Sequence, residues 1–562
     1  MNKKWVFYDI DEEKVNKTAN EYDISKLLAT VILNREVEES KVGVFLKPTR
    51  RDFHNPFLMP DMEKAVDRIL KAIENKEKVL IYGDYDVDGI TSITVLKKFL
   101  NERGLDVDFY IPNRLDEGYG LNKNALEQIK NKGTNLVITV DCGISAIEEI
   151  ESANSIGLEV IITDHHEQLE ILPKAYAIVN AKRKDSCYPY RNLAGVGVVF
   201  KLIQAISEKL NLDEKEYLKY LDFVAIGTIS DIVPLADENR VITKLGLKLL
   251  NQTKNIGLKV LIQSLDCKKI DSYMVAFRIA PRINACGRLG HEQEAVKLFL
   301  TENIEEARMI TDKFSKFNQE RQNIEKHIFD EAMEEIAKEN IKEKNTIVLG
   351  KDNWHHGVIG IVASKITEIF EKPTILIGFE GNIGKGSGRS IPCFDLHEAL
   401  CKTSMYLEQY GGHALAVGLS LKKENFMEFR ESFEKYASLN QEIKEYMPTI
   451  KIDEVIDKNT LTYELIEEMN VLEPYGEKNR PPVFIYKNLR INSIRTLSEG
   501  KHLKLNLKDD NLYIDAIGFN LGSLADEYLI GDKIDVVGTL SLNTFNGYTN
   551  IQIEVQDMRK SV

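Results

Sequence analysis

Seven acidic and imidazole side chains stand where strand-like runs of the sequence end. These runs occur in KVLIYGDYDVDG, NLVITVDCG, LEVIITDHHE and FVAIGTISDIVPL, and the side chains are Asp84, Asp86, Asp88, Asp141, His165, His166 and Asp231. Ligands of an open parallel sheet bind beyond the carboxyl ends of its strands. We therefore expect these groups to converge at one edge of such a sheet.

That much negative charge in one place is unfavourable unless cations lie between the carboxylates. Carboxylate ligands with a minority of imidazole suit Mn²⁺ or Mg²⁺ better than metals that prefer thiolates. The set is large enough for two ions that share a carboxylate, an arrangement that promotes in-line displacement at phosphorus. The sequence thus predicts a phosphoesterase with two divalent cations.

A simpler interpretation exists for each piece taken alone. An aspartate at the end of a strand is usually a turn residue or a helix cap. The segment DYDVDG also begins like a calcium-binding loop, but that loop requires a glutamate six residues after the glycine, where this chain has Val95. Four such clusters in order are hard to obtain by accident, which favours the metal site.

The same segments carry a family resemblance. GDYDVDG, VDCG, TDHH and SDIVP, followed by PRINACGRLGH, WHHGVIGIVASKI, GKGSGRS and GGHALAVGL, resemble the motifs of the DHH phosphoesterase superfamily and its associated domain. The complete ordered set is similar to that of the bacterial 5′→3′ exonucleases within this superfamily. The resemblance implies a processive enzyme that digests single-stranded DNA, releases 5′-mononucleotides and acts in DNA repair and recombination.

The resemblance also implies roles for the metal-site residues. Asp86 and Asp88 would hold different ions, Asp141 would bridge them, and His165 with Asp231 would complete the set. Two catalytic roles are expected in addition. Asp84 would accept a proton or orient a ligand, and His166 would donate to the scissile phosphate or the leaving oxygen. The alternative for His166 is a structural histidine under the sheet. Because cation binding lowers the pKa of water, no protein nucleophile is needed.

A second group is expected to bind the substrate, with the residues of GKGSGRS and their arginine companions at its terminal phosphate and Gly412 and His413 as further contacts. The expected contacts are backbone N–H groups of glycine-rich segments, a hydroxyl group and cationic side chains. The residues are Arg114, Arg288, Ser387, Gly388, Arg389, Gly412 and His413. Arg282 competes with Arg288 for this role. A β-turn would explain the glycines of GKGSGRS equally well, and a tight turn entering a helix would explain Gly412.

The composition is that of a soluble globular chain. Its 562 residues are 43% hydrophobic and 29% charged, and the formal net charge is −14. No long apolar segment or N-terminal apolar region predicts membrane insertion or export, so a cytoplasmic location is expected. The negative charge does not exclude a nucleic-acid partner, because the stretch from Lys487 to Lys508 holds six basic residues and one acid, Glu499.

Alternating strand and helix signals predict an α/β protein in five segments. We expect an N-terminal arm (1–60), a doubly wound parallel-sheet DHH domain (61–235) and a helical connector (236–340). A second α/β, DHH-associated domain (341–445) and an antiparallel barrel of the OB type with its lead-in (446–562) would follow. Phe484, Tyr486, Phe545 and Tyr548 of the barrel are either core residues or base-stacking residues.

Two competing functions remain at this stage. A DHH phosphatase for oligonucleotides or nucleotides would need only the two α/β domains, whereas the connector and barrel favour a long polymer. A non-catalytic single-strand-binding scaffold of the replication fork would have lost metal ligands, which this chain retains. The expected partners are single-stranded DNA, a helicase and a single-strand-binding protein, and the chain is expected to act as a monomer without membrane contact.

Overall fold

Residues 3–113, 117–118, 120–339, 341–545 and 548–561 are described by the structure, which is a computed structural model. Two compact units divide the chain. The larger unit comprises Asn55–Asp231 and Gly246–Tyr446, and the smaller unit comprises Met1–His54, Ile232–Leu245 and Met447–Val562. The boundaries of the five expected segments stay a prediction.

The strands are, in chain order, β1 (Lys4–Phe7), β2 (Val79–Gly83), β3 (Val107–Tyr110), β4 (Leu136–Val140), β5 (Glu159–Thr163), β6 (Ala177–Val179), β7 (Ile347–Asp352), β8 (Thr374–Glu380), β9 (Ile383–Arg389), β10 (Gln409–His413), β11 (Ala416–Lys422), β12 (Thr449–Ile452), β13 (Glu454–Ile456), β14 (Phe484–Leu497), β15 (His502–Asp509), β16 (Leu512–Gly518), β17 (Lys533–Phe545) and β18 (Tyr548–Lys560).

The α-helices are α1 (Glu12–Tyr22), α2 (Lys26–Leu33), α3 (Val42–Leu46), α4 (Met62–Asn75), α5 (Val87–Asn101), α6 (Lys123–Asn131), α7 (Ile147–Ser155), α8 (Gly195–Lys209), α9 (Lys215–Leu218), α10 (Leu221–Ser230), α11 (Asp237–Leu250), α12 (Ile256–Gln263), α13 (Ser272–Met274), α14 (Ala280–Arg288), α15 (Glu292–Leu300), α16 (Ile304–Lys338), α17 (His356–Phe370), α18 (Leu396–Lys402), α19 (Phe426–Ser438), α20 (Gln441–Glu445) and α21 (Tyr463–Met469). A π-helical segment, Val275–Ile279, joins α13 to α14.

The first sheet of the larger unit has the strand order β3-β2-β4-β5-β6, and all its pairings are parallel. Leu80 and Tyr82 pack in one core with α6 and α7, whereas Gly83 on the opposite face abuts Ile93 of α5. Every residue of β2 and β4 is buried, as expected for strands covered on both faces. The predicted doubly wound parallel sheet is confirmed.

Helices α11 to α16 occupy residues 237–338, which agrees with the predicted helical connector. The second sheet follows with the order β10-β11-β9-β8-β7, in which only β7 and β8 pair in parallel. Helix α17 covers one face together with the end of α16, and α18 and α19 cover the other face. This three-layer arrangement is the predicted second α/β domain.

The smaller unit contains a closed five-stranded barrel with the order β14-β15-β16-β18-β17, in which β14 pairs again with β17. The predicted OB-type barrel is confirmed. Four of its pairings are antiparallel, whereas β16 and β18 pair in parallel. The N-terminal segment belongs to this unit, because β1 pairs with β12 and the residues of α2 and α3 pack in the barrel core.

In the part of the chain that the structure describes, no helix is both long and apolar enough to span a membrane.

Candidate metal centre and phosphate-contact residues

Three aspartates follow three neighbouring strands of the parallel sheet. Asp84 follows β2, Asp141 follows β4 and Asp164 follows β5, and β4 lies between the other two strands. The backbone at Asp141 is left-handed, with φ of 60°, and its N–H donates to Thr163 O at 3.0 Å. A non-glycine residue in this conformation is strained, which indicates that the surrounding structure holds the Asp141 side chain in place.

The turn between β2 and α5 supplies two more carboxylates. Asp86 caps α5, and its Oδ1 accepts hydrogen bonds from the N–H groups of Asp88 at 2.9 Å and Gly89 at 3.1 Å. A Cβ on Gly89 would collide with the carbonyl group of Asp84. The segment DYDVDG therefore needs its final glycine for close packing, and its first two aspartates are drawn together by this turn.

Asp88 is buried and is held by a different helix. Its Oδ2 accepts from Gly195 N at 2.6 Å and its Oδ1 accepts from Val196 N at 2.8 Å, so both oxygens contact the first turn of α8. Burial, followed by the charge of Asp86, raises the pKa of Asp88 to about 7. A nearby cation would reverse this effect and favour the ionised form.

His165 lies at the centre of the acidic group. Its Nε2 is 3.1 Å from Asp141 Oδ1 and its Nδ1 is 3.6 Å from Asp231 Oδ2, yet neither ring nitrogen hydrogen-bonds to any residue that the structure describes. Burial, followed by the charge of His166, lowers the pKa of His165 to about 3. A neutral buried imidazole with unsatisfied nitrogens is suited to metal ligation.

Three sets of ligand atoms lie close enough to hold ions. Within each set the atoms are within 4.8 Å of one another. The first set is Asp84, Asp86 and Asp141, the second is Asp88, His165 and Asp231, and the third is Asp141, His165 and His166. Burial, with the charges of neighbouring aspartates, raises the pKa of Asp141 and brings that of Asp231 to about 9. These residues fit two divalent cations, and Asp141, which belongs to two sets, is placed to be shared.

His166 is oriented by Asp164, a residue that the sequence analysis did not select. His166 Nδ1 donates to Asp164 Oδ1 at 2.7 Å, and the same oxygen accepts from the N–H groups of His165 and His166. Burial lowers the pKa of His166, but this hydrogen bond and the charge of Asp164 outweigh burial, and the net pKa is raised. The available signal was the position of Asp164 directly before the two histidines.

Asp231 reaches the site from a helix. The run before it was expected to be a strand, and that expectation is wrong, because residues 221–230 form α10 and Asp231 is its C-cap. Nine of the ten residues of α10 are buried, Asp222 among them, and a run buried on all sides shows no period that separates helix from strand. The placement of Asp231 beside His165 agrees with the expected ligand set.

On the second sheet, Ser387 and Arg389 of β9 face α17. Arg389 Nη1 donates to Ser387 Oγ at 3.1 Å, and a Cβ on Gly360 of α17 would lie 2.9 Å from that hydroxyl and 3.3 Å from Arg389 Nη2. Arg288 reaches the same helix, since its Nη1 donates to Gly357 O at 2.7 Å. The structure therefore brings Arg288, Ser387 and Arg389 to the first turns of α17.

The remaining expected phosphate contacts are distributed differently. Gly388 lies inside β9 between β8 and β11, and a Cβ there would be 2.7 Å from Val417, so packing explains this glycine and a free backbone donor is not supported. Gly412 and His413 lie on the exposed edge strand β10, which forms a hairpin with β11 and does not enter a helix. Arg114 lies outside the described residues.

The structure favours one side of two alternatives left open by the sequence, one for the arginines Arg282 and Arg288 and one for the aromatic residues of the barrel. Arg282 donates to Arg278 O at 2.6 Å on its own helical segment, so Arg288 is the arginine that reaches α17. In the barrel, Phe484 and Tyr486 are buried, and the Tyr486 hydroxyl donates to Asp509 Oδ2 at 2.7 Å. Both are core residues, whereas the side chains of Phe545 and Tyr548 are outside the described set.

Comparison with known proteins places these features in a family. Three family models match the chain: the DHH family N-terminal domain at residues 78–228, the DHHA1 domain at 343–439 and the RecJ OB domain at 452–557. The single-stranded-DNA-specific exonuclease RecJ of Bacillus subtilis is 39% identical over 99% of this chain and 70% of its own length. The protein of the same name from Escherichia coli is 32% identical over 88% of this chain and 90% of its own length.

Solved structures agree with the sequence comparison. The crystal structure of RecJ from Thermus thermophilus in complex with Mn²⁺ covers the whole of this chain and 80% of that chain, with a TM-score of 0.86 and 29% identity. A crystal structure of the same protein with Mg²⁺ aligns with a TM-score of 0.80 and 27% identity.

Proposed function

The chain belongs to the RecJ family of single-stranded-DNA-specific exonucleases, and from that premise we propose how its own residues hold the metal ions, bind the end of the strand and fix the direction of digestion. It is a DHH-family exonuclease of single-stranded DNA, and its cofactors are divalent cations of the Mn²⁺ or Mg²⁺ type. We propose 5′→3′ processive digestion with release of 5′-mononucleotides.

The ligand assignment follows from the three sets of atoms. Asp84, Asp86 and Asp141 would hold one cation, while Asp88, His165 and Asp231 would hold a second. Asp141 Oδ1 lies 3.1 Å from His165 Nε2, so Asp141 would lie beside the second ion as well. Direct ligation by Asp84 is favoured over a proton-acceptor role, because its carboxylate lies with those of Asp86 and Asp141. When bound, the ions supply Lewis acidity and lower the pKa of water, so that an attacking hydroxide is available near pH 7.

His166 acts next to these ligands as a donor to the scissile phosphate or the leaving oxygen. Its side chain is 40% exposed, whereas the adjacent His165 is buried, so His166 can meet a substrate. Asp164 fixes the proton on Nδ1 and leaves Nε2 directed away from that hydrogen bond. Against the effect of burial, the hydrogen bond and charge of Asp164 raise the pKa of His166 and so favour a protonated ring, whereas cations bound nearby would act in the opposite direction.

The direction of digestion is assigned to the group at α17. Arg288, Ser387 and Arg389 bring two guanidinium groups and a hydroxyl to the first turns of a helix, where backbone N–H groups favour anions. A terminal 5′-phosphate held there would admit the strand from its 5′ end only. Gly412 and His413 on the exposed edge of the same sheet, together with Arg114, stay candidates for further contacts.

The observation that carries this proposal is the convergence of Asp84, Asp86, Asp88, Asp141, His165 and Asp231 in one partly buried cluster. A non-catalytic scaffold would have no need of the complete set. We further propose that the protein acts in the cytoplasm as a monomer in DNA repair and recombination, and that a helicase and a single-strand-binding protein supply its substrate.

The test uses the full-length protein and one oligonucleotide sequence. Labelled at the 5′ end or the 3′ end, as single strand or duplex, the oligonucleotide is incubated with Mn²⁺ or with EDTA. We expect the 5′ label to appear at once as mononucleotide from the single strand only. With substrate in excess, the 3′ label should pass from the full-length strand to the final short product with few intermediate lengths. Early release of the 3′ label, or equal digestion of blunt duplex, would contradict the proposal.

A further inference from the structure

We propose that Gly195 of α8 and Gly227 of α10 are positioning residues, whose lack of a side chain sets the orientation of the Asp88 and Asp141 carboxylates for metal ligation. The proposal rests on the proposed function in taking both aspartates as ligands. Neither glycine contacts substrate in this account, and each acts only through the carboxylates beside it.

The first observation is that α8 determines where the Asp88 carboxylate points. Gly195 N and Val196 N donate to its two oxygens at 2.6 and 2.8 Å, so both lone-pair sites on one side of the carboxylate are used. The N-terminus of a helix also attracts negative charge. Asp88 can therefore offer only its remaining lone pairs to a cation, in a direction that α8 fixes.

The second observation is the absence of space for a methyl group at either glycine. A Cβ on Gly195 would lie 2.7 Å from Asp141 Oδ1 and 2.8 Å from Asp141 Cβ. A Cβ on Gly227 would lie 2.4 Å from Thr91 Oγ1, 2.7 Å from Val196 Cγ1 and 2.9 Å from Asp88 Oδ1. Real Cβ atoms are essentially never found at such distances, so an atom has to move. Two carboxylates in two ligand sets thus each have a glycine directly against them.

The backbone gives no reason for these glycines. Both lie in helices, and neither has the left-handed φ that favours glycine. Alanine is the better helix former, so a stable helix alone would favour alanine at both positions. Because α5, α8 and α10 pack against one another, a methyl group at either position has to displace its neighbours, and these include Asp141 at Gly195 and Asp88 at Gly227. Displacement of either aspartate would change the ligand geometry.

The test compares Gly195→Ala and Gly227→Ala with the matched control Gly197→Ala. Gly197 lies in the same helix α8, and the three atoms nearest to a Cβ there belong to the side chain of Leu193, at 3.3 Å or more. Binding of Mn²⁺ to each full-length protein is measured by isothermal titration calorimetry, and thermal unfolding is followed by circular dichroism in EDTA. These two readouts separate ligand orientation from a merely structural role.

We expect both site variants to lose about 10- to 100-fold in Mn²⁺ affinity, the range typical of residues that orient metal ligands. Their metal-free melting temperatures should match that of the control, whose Mn²⁺ affinity should equal that of the wild type. Unchanged Mn²⁺ affinity in the site variants, an equal loss in the control, or unfolding of both site variants would overturn the proposal. A wild type that binds no Mn²⁺ would instead contradict the proposed function itself.

Discussion

His166 and Asp164 are joined by a hydrogen bond of 2.7 Å between Nδ1 and Oδ1, and the other Asp164 oxygen accepts from Ile144 N at 2.9 Å. Although burial opposes ionisation of Asp164, its hydrogen bond with His166 and the charge of that imidazolium lower its pKa to about 2. Asp164 is therefore an anion at neutral pH, and it fixes the ring of a residue that is expected to meet the scissile phosphate.

The first prediction concerns this pair. Asp164→Asn should lower kcat about 10- to 100-fold, because an outer partner of a functional histidine is lost, while KM for single-stranded DNA changes little. Initial rates with Mn²⁺ on a fixed oligonucleotide measure both parameters. Asp185→Asn is the control, since Asp185 pairs with Arg183 at an exposed position. A control that loses as much kcat as Asp164→Asn would contradict this role.

The second prediction separates phosphate capture from chemistry. Arg389→Ala should remove a charge-assisted contact worth about 1.5–3 kcal/mol, which corresponds to roughly 10- to 150-fold in kcat/KM. The loss should appear on 5′-phosphorylated strands and be small on 5′-hydroxyl strands. Arg282→Ala is the control, because Arg282 does not reach α17 and should leave the preference unchanged. Equal losses on both kinds of end would contradict a terminal-phosphate role for Arg389.

A third prediction addresses the basic stretch of the barrel. Arg490 and Arg495 are exposed on β14, so each arginine-to-alanine substitution should flatten the dependence of log K on log salt by about 0.7 for long single strands. Fluorescence anisotropy at several salt concentrations measures this slope without any contribution from hydrolysis when Mn²⁺ is omitted. Arg480→Ala, an exposed change elsewhere in the smaller unit, is the control. An unchanged salt dependence when both Arg490 and Arg495 are replaced by alanine would show that the DNA does not contact this stretch of the barrel.

The fourth prediction concerns the stability of the smaller unit. Arg240 is buried, stacks on Phe45 and donates to the carbonyl oxygens of Phe45, Val471, Leu472 and Glu473. Arg240→Met should destabilise this unit by about 2–4 kcal/mol, because several buried carbonyls lose their donor. The exposed change Arg480→Met should cost far less.

The two tryptophans of the chain make this measurement specific. Trp5 lies in the smaller unit and Trp354 in the larger one. In a Trp354→Phe background, urea unfolding followed by tryptophan fluorescence therefore reports the smaller unit through Trp5. A midpoint for Arg240→Met equal to that of the control would show that the buried guanidinium contributes nothing to this unit.

The sequence was most informative where chemistry coincides with the end of a buried strand. Asp84 and Asp141 lie at the sheet edge where they were expected, because β2 and β4 are buried throughout and consist almost entirely of apolar residues. Asp231 was also grouped with the ligands, although its helix was taken for a strand. The strand was expected because a run in which nine of ten residues are buried has no distinguishing period. Asp164 was missed because its role depends on a hydrogen bond between its side chain and the ring of His166, two positions later, which no sequence pattern indicates.

The sequence pattern did not predict which distant strands pair with each other. Residues 1–60 were expected to form an N-terminal arm, and no partner was predicted for it. In the structure β1 pairs with β12 from Lys4↔Thr449 to Phe7↔Ile452, some 445 positions apart by the difference of those numbers. Nothing in either short segment specifies the other. In the same way, the glycines of GKGSGRS suggested a phosphate loop, whereas the cross-strand neighbours of Gly388 that explain it come from β8 and β11.

The central claim is that two divalent cations share Asp141, and the most direct measurement is the number of Mn²⁺ ions bound per chain. Isothermal titration calorimetry on the metal-free wild type should give two ions. Asp141→Ala should give at most one tightly bound ion and no detectable hydrolysis, with an intact fold by circular dichroism and a metal-free stability that is equal or higher, because like-charge crowding is relieved. Two ions bound to Asp141→Ala with wild-type affinity, or near-normal turnover with Mn²⁺, would contradict the account.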